Sequence, residues 1–300
     1  MSTEQAEPWT VLRLLQWTTE YFKKRGSESA RLDAEVLLAE ARNCSRIDLY
    51  TAFNSEPSAE EREAFRELVR RRGEGTPVAY LVGKKEFYSI PFRVNESTLI
   101  PRPETEHLVV EALDQIKRLQ SSLPTDHSPL QIADIGTGSG AIAIAIAKNS
   151  PHGFITACDV SAAALEVAKY NIEQQGLKER IHLVQSDCLN SISAPPLFDI
   201  ICSNPPYVSE AEYEDLSADV KKFEPRSALV SGPTGTEIIA RLIDQACSRL
   251  RSGGQLIVEL SPMIADSCAS LVVNTGKFAP PKLIKDLAGH RRILSATRLA

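Results

Sequence analysis

The chain has 300 residues, 43% of them hydrophobic and 24% charged, which leaves room for a large domain plus a small one of ordinary globular texture. A net charge of −5 argues against a protein that holds nucleic acid by its phosphates, since such proteins carry a basic surplus or a basic face. No apolar run approaches the roughly 20 residues of a membrane span, and residues 1–10 lack the apolar core of a signal peptide, so a cytoplasmic protein without membrane contact is expected.

Residues 1–84 are predicted to form a small helical domain of four or five helices. Apolar residues recur at helical spacing through Val11, Leu12 and Leu15, then through Leu32, Val36, Leu37 and Ala41. Ser58 with Glu61 three residues on makes a capping box, and its helix should run to Arg72 and stop at Gly73-Glu74-Gly75. The basic clusters Lys23-Lys24-Arg25 and Arg70-Arg71-Arg72 read as solvated helix ends, and would also suit an acidic or RNA-bearing partner. Residues 85–100, where Phe87, Ile90, Phe92 and Val94 are punctuated by Pro91 and Asn95, predict a short hairpin linking two domains. Ile100-Pro101-Arg102-Pro103 then opens a helix over 104–120, followed by a polar loop over 121–129.

From Leu130 onward, strands expected over 130–134, 154–159, 181–185, 198–202 and 255–260 alternate with helices, one of them over 161–175 and closed by Gly176. Such alternation implies a parallel sheet covered on both faces, with ligands bound beyond the carboxyl ends of its strands. The six cysteines are scattered, with no CxxC and no Cys/His pair at ligand spacing, so neither a disulfide nor a metal site is expected.

After the first of these strands comes Asp134-Ile135-Gly136-Thr137-Gly138-Ser139-Gly140. Glycines there let a ligand pass close to the backbone, and the spacing is GxGxG rather than the GxGxxG of dinucleotide-binding folds. Asp159, at the end of the second strand, suits a ribose diol, as it would in a dehydrogenase or as a helix cap. Asp187-Cys188, after the third strand, suits the adenine amino group of S-adenosylmethionine.

Ser203-Asn204-Pro205-Pro206-Tyr207 follows the fourth strand. The two prolines have no N–H to give, so this loop is rich in acceptors: the backbone carbonyls and the Asn204 side-chain oxygen. Acceptors beside an aromatic plate suit a planar amide or an exocyclic amine. An amide nitrogen is a poor nucleophile, and holding both of its N–H bonds aims the lone pair at a methyl donor. No general base is needed before such a transfer.

These residues resemble the HemK/PrmC family of release-factor glutamine methyltransferases. Besides Asn204-Pro205-Pro206-Tyr207, the resemblance includes Ile100-Pro101-Arg102-Pro103-Glu104-Thr105-Glu106, the run from Phe223 to Leu229 with Gly232 and Gly235, and the tail from Lys285 to Arg292. The NPPY run alone is shared with DNA and RNA amino-methyltransferases.

The resemblance implies a class I S-adenosylmethionine-dependent methyltransferase: a Rossmann-like, seven-stranded, mostly parallel sheet over 101–300, with an N-terminal helical domain that helps to hold the release factor. It implies methyl transfer to the N5 amide of the glutamine in the Gly-Gly-Gln motif of class 1 peptide chain release factors. The protein is expected to act as a monomer and to need no direct nucleic acid. Carried over by position, Gly136, Thr137, Gly138, Ser139, Gly140, Asp159, Asp187, Cys188 and Asn204 would contact the cofactor. Asn204, Pro205, Pro206 and Tyr207 would hold the glutamine, with Asn204, Pro205 and Tyr207 as the catalytic set, while Arg102 and Glu104 would shape the pocket. Glu224 and Arg226 read as a structural ion pair. Two departures stand out. The segment Glu259-Leu260-Ser261-Pro262-Met263 keeps the family's glutamate and loses its glycine, and Cys188 stands where some relatives carry an aromatic residue.

Three rivals follow from the same residues, beside the related option of a glutamine in a different protein, which the sequence excludes less well: an enzyme acting on adenine or guanine of nucleic acid, a nicotinamide-dependent oxidoreductase, and a binding protein that has kept the fold. The acidic balance weighs against the first, and the glycine spacing and the unexplained NPPY run against the second. Intact glycines and an intact NPPY run weigh against the third.

Overall fold

The computed structural model describes residues 8–122, 129–151, 153–192 and 198–300, so most of the polar loop expected over 121–129 lies outside the described residues. The chain divides into two compact units, Met1–Gly83 and Lys84–Ala300.

The first unit is helical: α1 Val11–Lys23, α2 Ala30–Ala41, α3 Arg46–Thr51, α4 Ala59–Gly73 and α5 Val78–Val82. The Ser58–Glu61 capping box is present and opens α4, which ends at Gly73. Val11, Leu15, Phe22, Leu37, Leu38 and Leu49 form the centre of its core. The phase of α2 differs from the expectation: Leu32 is exposed, and Ala30, Ala34, Leu37 and Leu38 face inward. Polar pairing sets that phase. Buried Glu35 accepts from Arg31, Arg46 and Tyr50, and buried Asp33 accepts from Arg72, Ser27 and Ser29. Four of the six cations in the basic clusters are engaged internally. Lys23 pairs with Glu20, Arg25 lies over the Tyr21 ring, Arg70 bridges Glu67 and Glu74, and Arg72 serves Asp33.

The second unit begins with the hairpin β1 Lys84–Phe87 and β2 Ile90–Arg93. Its two turn residues, Tyr88 and Ser89, both have positive φ (53° and 57°), as a tight two-residue hairpin demands. Expected as a linker, the hairpin is instead part of this unit's core, because Phe87, Ile90 and Phe92 put their apolar faces into it. Next come α6 Glu106–Ser122, β3 Leu130–Ile135, α7 Ala141–Asn149, β4 Gly153–Asp159, α8 Ala162–Gln174, β5 Ile181–Gln185 and β6 Phe198–Ser203. They are followed by β7 Val208–Ser209, α9 Glu210–Asp215, α10 Ala218–Phe223, β8 Val230–Gly232, α11 Glu237–Arg249, β9 Leu250–Glu259, α12 Ala265–Asn274, β10 Lys282–Lys285 and β11 Arg291–Thr297. A 3₁₀ turn, Pro103–Thr105, precedes α6, so the expected helix over 104–120 starts two residues later.

The main sheet has seven strands in the order β10-β11-β9-β6-β3-β4-β5, with β11 antiparallel to both its neighbours and the rest parallel. Alternation along the strands divides the core. Ile132, Ile155, Ile200 and Ile257 face α6 and α7, and Ile135, Ile201, Leu256 and Val258 face α11 and α12. The order reverses at β3, with β4 on one side and β6 on the other, so the loops after β3 and β6 meet at a topological switch point.

Candidate active site

A cleft opens at the carboxyl ends of β3, β4, β5 and β6, with an empty volume of about 1080 Å³ including its open mouth. Its walls bring together Gly136, Thr137, Gly138, Ser139, Asp159, Asp187, Cys188, Asn204, Pro205, Pro206 and Arg102. Gly140, Glu104 and Tyr207 are not among the lining residues.

The glycine turn is pinned from below. Gly136 N and Thr137 N both donate to the Cys158 carbonyl at 2.8 Å. Asp134, fully buried, accepts from Thr137 Oγ1 at 2.7 Å and Ala143 N at 3.1 Å on one oxygen. Its other oxygen has no partner among the described residues, and burial pushes its carboxyl up to about 7. Gly138 has φ +54°, and a Cβ there would meet nothing within 4 Å, so the backbone itself faces open space. Gly140 has a different task. It caps α7 with φ +81°, and a Cβ would press on Ile144 at 3.3 Å and Ala168 at 3.5 Å, so it serves packing between α7 and α8.

Asp159 accepts from Gly138 N and Ser161 N, each at 2.9 Å and on separate oxygens. The carboxylate lines the cleft, with acceptor capacity beyond these two bonds. Burial raises its carboxyl above the usual range. Asp187 is half-exposed and paired to Arg241 at 2.7 Å, while Gln245 receives the Leu189 N–H at 2.7 Å, so α11 braces this loop. Cys188 adopts φ +50°, and burial pushes its thiol up to about 11, which keeps it protonated at neutral pH.

The loop after β6 stands beside the glycine turn: a Cβ on Gly136 would lie 3.8 Å from the Asn204 carbonyl oxygen. Ser203 Oγ donates to the Ile135 carbonyl at 2.7 Å, tying the two strand ends. Among the described residues no donor is bonded to the carbonyls of Asn204, Pro205 or Pro206. Asn204 Nδ2 donates to Thr105 Oγ1 at 3.0 Å. Burial pushes the Glu259 carboxyl up to about 7. Tyr207 packs against the apolar layer beneath α11 and α12, and burial pushes its phenol up to about 12, so it is no base at neutral pH.

Arg102 and Glu224 form an ion pair linking the Pro101-Arg102-Pro103 segment to the segment after α10. The pairing expected between Glu224 and Arg226 is therefore corrected: Arg226 lies over the Tyr213 ring, 5.1 Å from its centre. Glu224 turned inward because its side chain, 2% exposed, needs the cation that Arg102 supplies at the cleft wall. The expectation also passed over Thr105 and Ser203. Thr105 sat inside the quoted run Pro103-Glu104-Thr105-Glu106, yet only its buried position beneath Asn204 separates it from its neighbours.

Comparison with known proteins agrees with this architecture. The PrmC N-terminal domain matches residues 13–83 and the methyltransferase small domain matches residues 112–221. A release factor glutamine methyltransferase of Rhodopirellula baltica is 59% identical over 98% of this chain and 98% of its own. Another, from Chlorobaculum tepidum, is 40% identical over 93% of this chain and 94% of its own. Among solved structures, a methyltransferase from Pyrococcus furiosus shares the fold with a TM-score of 0.50 at 19% identity, over 77% of this chain and 98% of that one. With its seven-stranded sheet, its N-terminal helical unit and these full-length relatives, the chain belongs to the release factor glutamine methyltransferase family.

Proposed function

We propose that this protein transfers the methyl group of S-adenosylmethionine to the N5 amide of the glutamine in the Gly-Gly-Gln motif of class 1 peptide chain release factors. The observation that carries the proposal is the adjacency of a cofactor-type glycine turn and a loop of unengaged acceptors, so close that a Cβ built on Gly136 would lie 3.8 Å from the Asn204 carbonyl oxygen. Family membership supports the choice of glutamine over a nucleobase, and so does the internal pairing of four of the six cations in the basic clusters.

The cleft fits the cofactor. The bare backbone at Gly138 gives room for close approach, Asp159 has lone pairs left for a ribose diol, and Asp187 with Cys188 borders the space for an adenine. When bound, the cofactor supplies an electrophilic sulfonium methyl. The chain's own residues then act by position. Asn204 Oδ1 and the Pro205 carbonyl accept the two N–H bonds of the substrate amide, which aims the nitrogen lone pair; alignment of this kind can be worth several kcal/mol, with roughly 7–11 as a ceiling. Pro206 closes off water at the cleft wall, and Arg102 shapes its entrance. The methylated nitrogen gives its surplus proton to solvent after transfer. The protein acts as a monomer in the cytoplasm, and no nucleic acid takes part.

The test is methyl transfer from labelled cofactor to a purified class 1 release factor. The factor should be labelled by the wild-type chain, and label should be absent from a factor whose motif glutamine is alanine and from reactions with Asn204→Ala. Label on RNA or DNA offered in parallel, with none on the factor, would overturn the proposal.

A further inference from the structure

Asn171, in the last turn of α8, is 2% exposed and spends its whole amide on two distant pieces of backbone. Its Oδ1 accepts from Arg93 N at 2.8 Å, while Nδ2 donates to the Arg93 carbonyl at 3.0 Å and to the Ser139 carbonyl at 2.8 Å. Arg93 ends β2, and Ser139 belongs to the glycine turn and lines the cleft. The Arg93 guanidinium lies over the ring of Tyr170 on the same helix, 4.8 Å from its centre. One side chain thus joins the hairpin to the glycine turn.

The chain beyond Arg93 gives this joint its consequence. Ser97, Thr98, Leu99, Pro101 and Arg102 line the cleft. The stretch opens in a tight turn, with Ser97 N donating to Asn95 Oδ1 at 2.9 Å and Thr98 N to the Asn95 carbonyl at 3.0 Å. Val94, Thr98 and Ile100 are buried, and Pro101 and Pro103 stiffen its far half. At the other end Thr105 Oγ1 accepts from Asn204 Nδ2 at 3.0 Å. Residues 94–104 therefore form a strap, tied to the glycine turn through Asn171 and to the acceptor loop through Thr105.

We infer that Asn171 is a positioning residue: it fixes the strap against the glycine turn and so sets where a bound methyl donor stands before the acceptor loop. This rests on the function proposed above. Asn171 is not among the residues lining the cleft, so its effect passes through the Arg93 peptide and the Ser139 carbonyl. Few side chains could replace it. An aspartate has no hydrogens for the two carbonyls when ionised, and a leucine fills a similar space but bonds none of the three backbone groups. A side chain that merely held the fold together would lower stability and leave the turnover of each folded molecule untouched.

The experiment compares wild type, Asn171→Leu, Asn171→Ala and Arg180→Leu at a temperature where each is folded. Stability is read by denaturation, cofactor-site affinity by calorimetry with S-adenosylhomocysteine, and kcat on a class 1 release factor. Arg180 is the control: its guanidinium holds the carbonyls of Ala147, Ser150 and Gly153 at 2.7, 2.6 and 2.9 Å, at the amino ends of β4 and β5. Each leucine variant strands three backbone groups, so both should lose stability. Asn171→Leu should also lower kcat by about 10- to 100-fold and weaken cofactor-site binding by about tenfold. Arg180→Leu should keep both within about twofold, as expected for a distant site. Should Asn171→Leu fail to fold, Asn171→Ala, which opens room for water at the stranded groups, is read in its place, with a loss of at least about threefold in kcat. Wild-type kcat and affinity in the folded Asn171 variant overturn the inference, and so does an equal loss of kcat in Arg180→Leu. No label from the wild-type chain overturns the functional proposal and this inference together, whereas label from wild type with an unaffected Asn171 variant overturns the inference alone.

Discussion

Gly235 stands against the backbone of Tyr207: a Cβ at Gly235 would lie 2.6 Å from the Tyr207 carbonyl oxygen and 3.4 Å from Ser209 N. The same glycine has φ +79°, a conformation side chains rarely adopt. The segment after β8 therefore forms the floor on which the acceptor loop rests. The parallel pairing of Val208 with Val230 holds the two segments together.

Gly235→Ala should push the Tyr207 peptide away from its place and strain its own backbone. We expect a stability loss of about 1–3 kcal/mol, read by chemical denaturation, together with a fall in kcat larger than the change in cofactor affinity. Unchanged stability would mean that the floor yields at no cost.

Asp159→Ala removes the acceptor shared by Gly138 N and Ser161 N, and with it the carboxylate offered to the ribose. Cofactor affinity measured by calorimetry should fall at least about tenfold, the scale of one charge-assisted hydrogen bond. Asp159→Asn should fall less, since one amide oxygen can still accept. Equal affinities in wild type and the alanine variant would remove Asp159 from the cofactor site.

Much of this was legible in the sequence, and the exceptions have a common cause. Strand-by-strand alternation and the glycine turn after β3 follow from local spacing, which is why five strands of the sheet and the cleft could be anticipated from the residues, whereas β10 and β11 could not. The partner of Glu224 could not be, because Arg102 is 122 positions away and only the closed fold brings the two together. Arg226, two residues along, was as near in sequence as any cation, but its guanidinium found the Tyr213 ring. The phase of α2 was missed for a similar reason. Leu32 fits a helical stripe on paper, yet Asp33 and Glu35 must face their arginine partners, and that rotates Leu32 outward. Thr105 was hidden in plain view, because the residue it bonds, Asn204, is 99 positions away.

Arg102→Ala should destabilise the protein by leaving the Glu224 carboxylate buried and unpaired. Breaking a buried ion pair costs about 3–5 kcal/mol, and the low end is expected because the Arg102 side chain is 37% exposed. Glu224→Gln, which leaves the exposed partner unpaired instead of the buried one, should cost less. Denaturation midpoints of the two variants in one buffer check the order, and the reverse order would contradict it.

Asp134 gives the protein a pH dependence with a definite sign. Its carboxyl titrates near 7 in the folded protein, against 3.8 as its ordinary value. A raised folded value stabilises the fold fully below the ordinary value and loses that contribution as pH rises through about 7. Wild-type stability should therefore decline between about pH 4 and pH 7 and level off above, and Asp134→Asn should flatten the decline by about 2–4 kcal/mol. The asparagine oxygen can keep both bonds, to Thr137 and Ala143. Parallel stability–pH curves for the two proteins would show that Asp134 does not carry the dependence.

The most direct test of the central claim is to locate the transferred methyl group by fragmentation mass spectrometry of the treated release factor. The account predicts one added methyl, on the side-chain amide of the Gly-Gly-Gln glutamine, present with the wild-type chain and absent with Asn204→Ala. A methyl group on any other residue of the factor, or an equal yield from the Asn204→Ala chain, would contradict it.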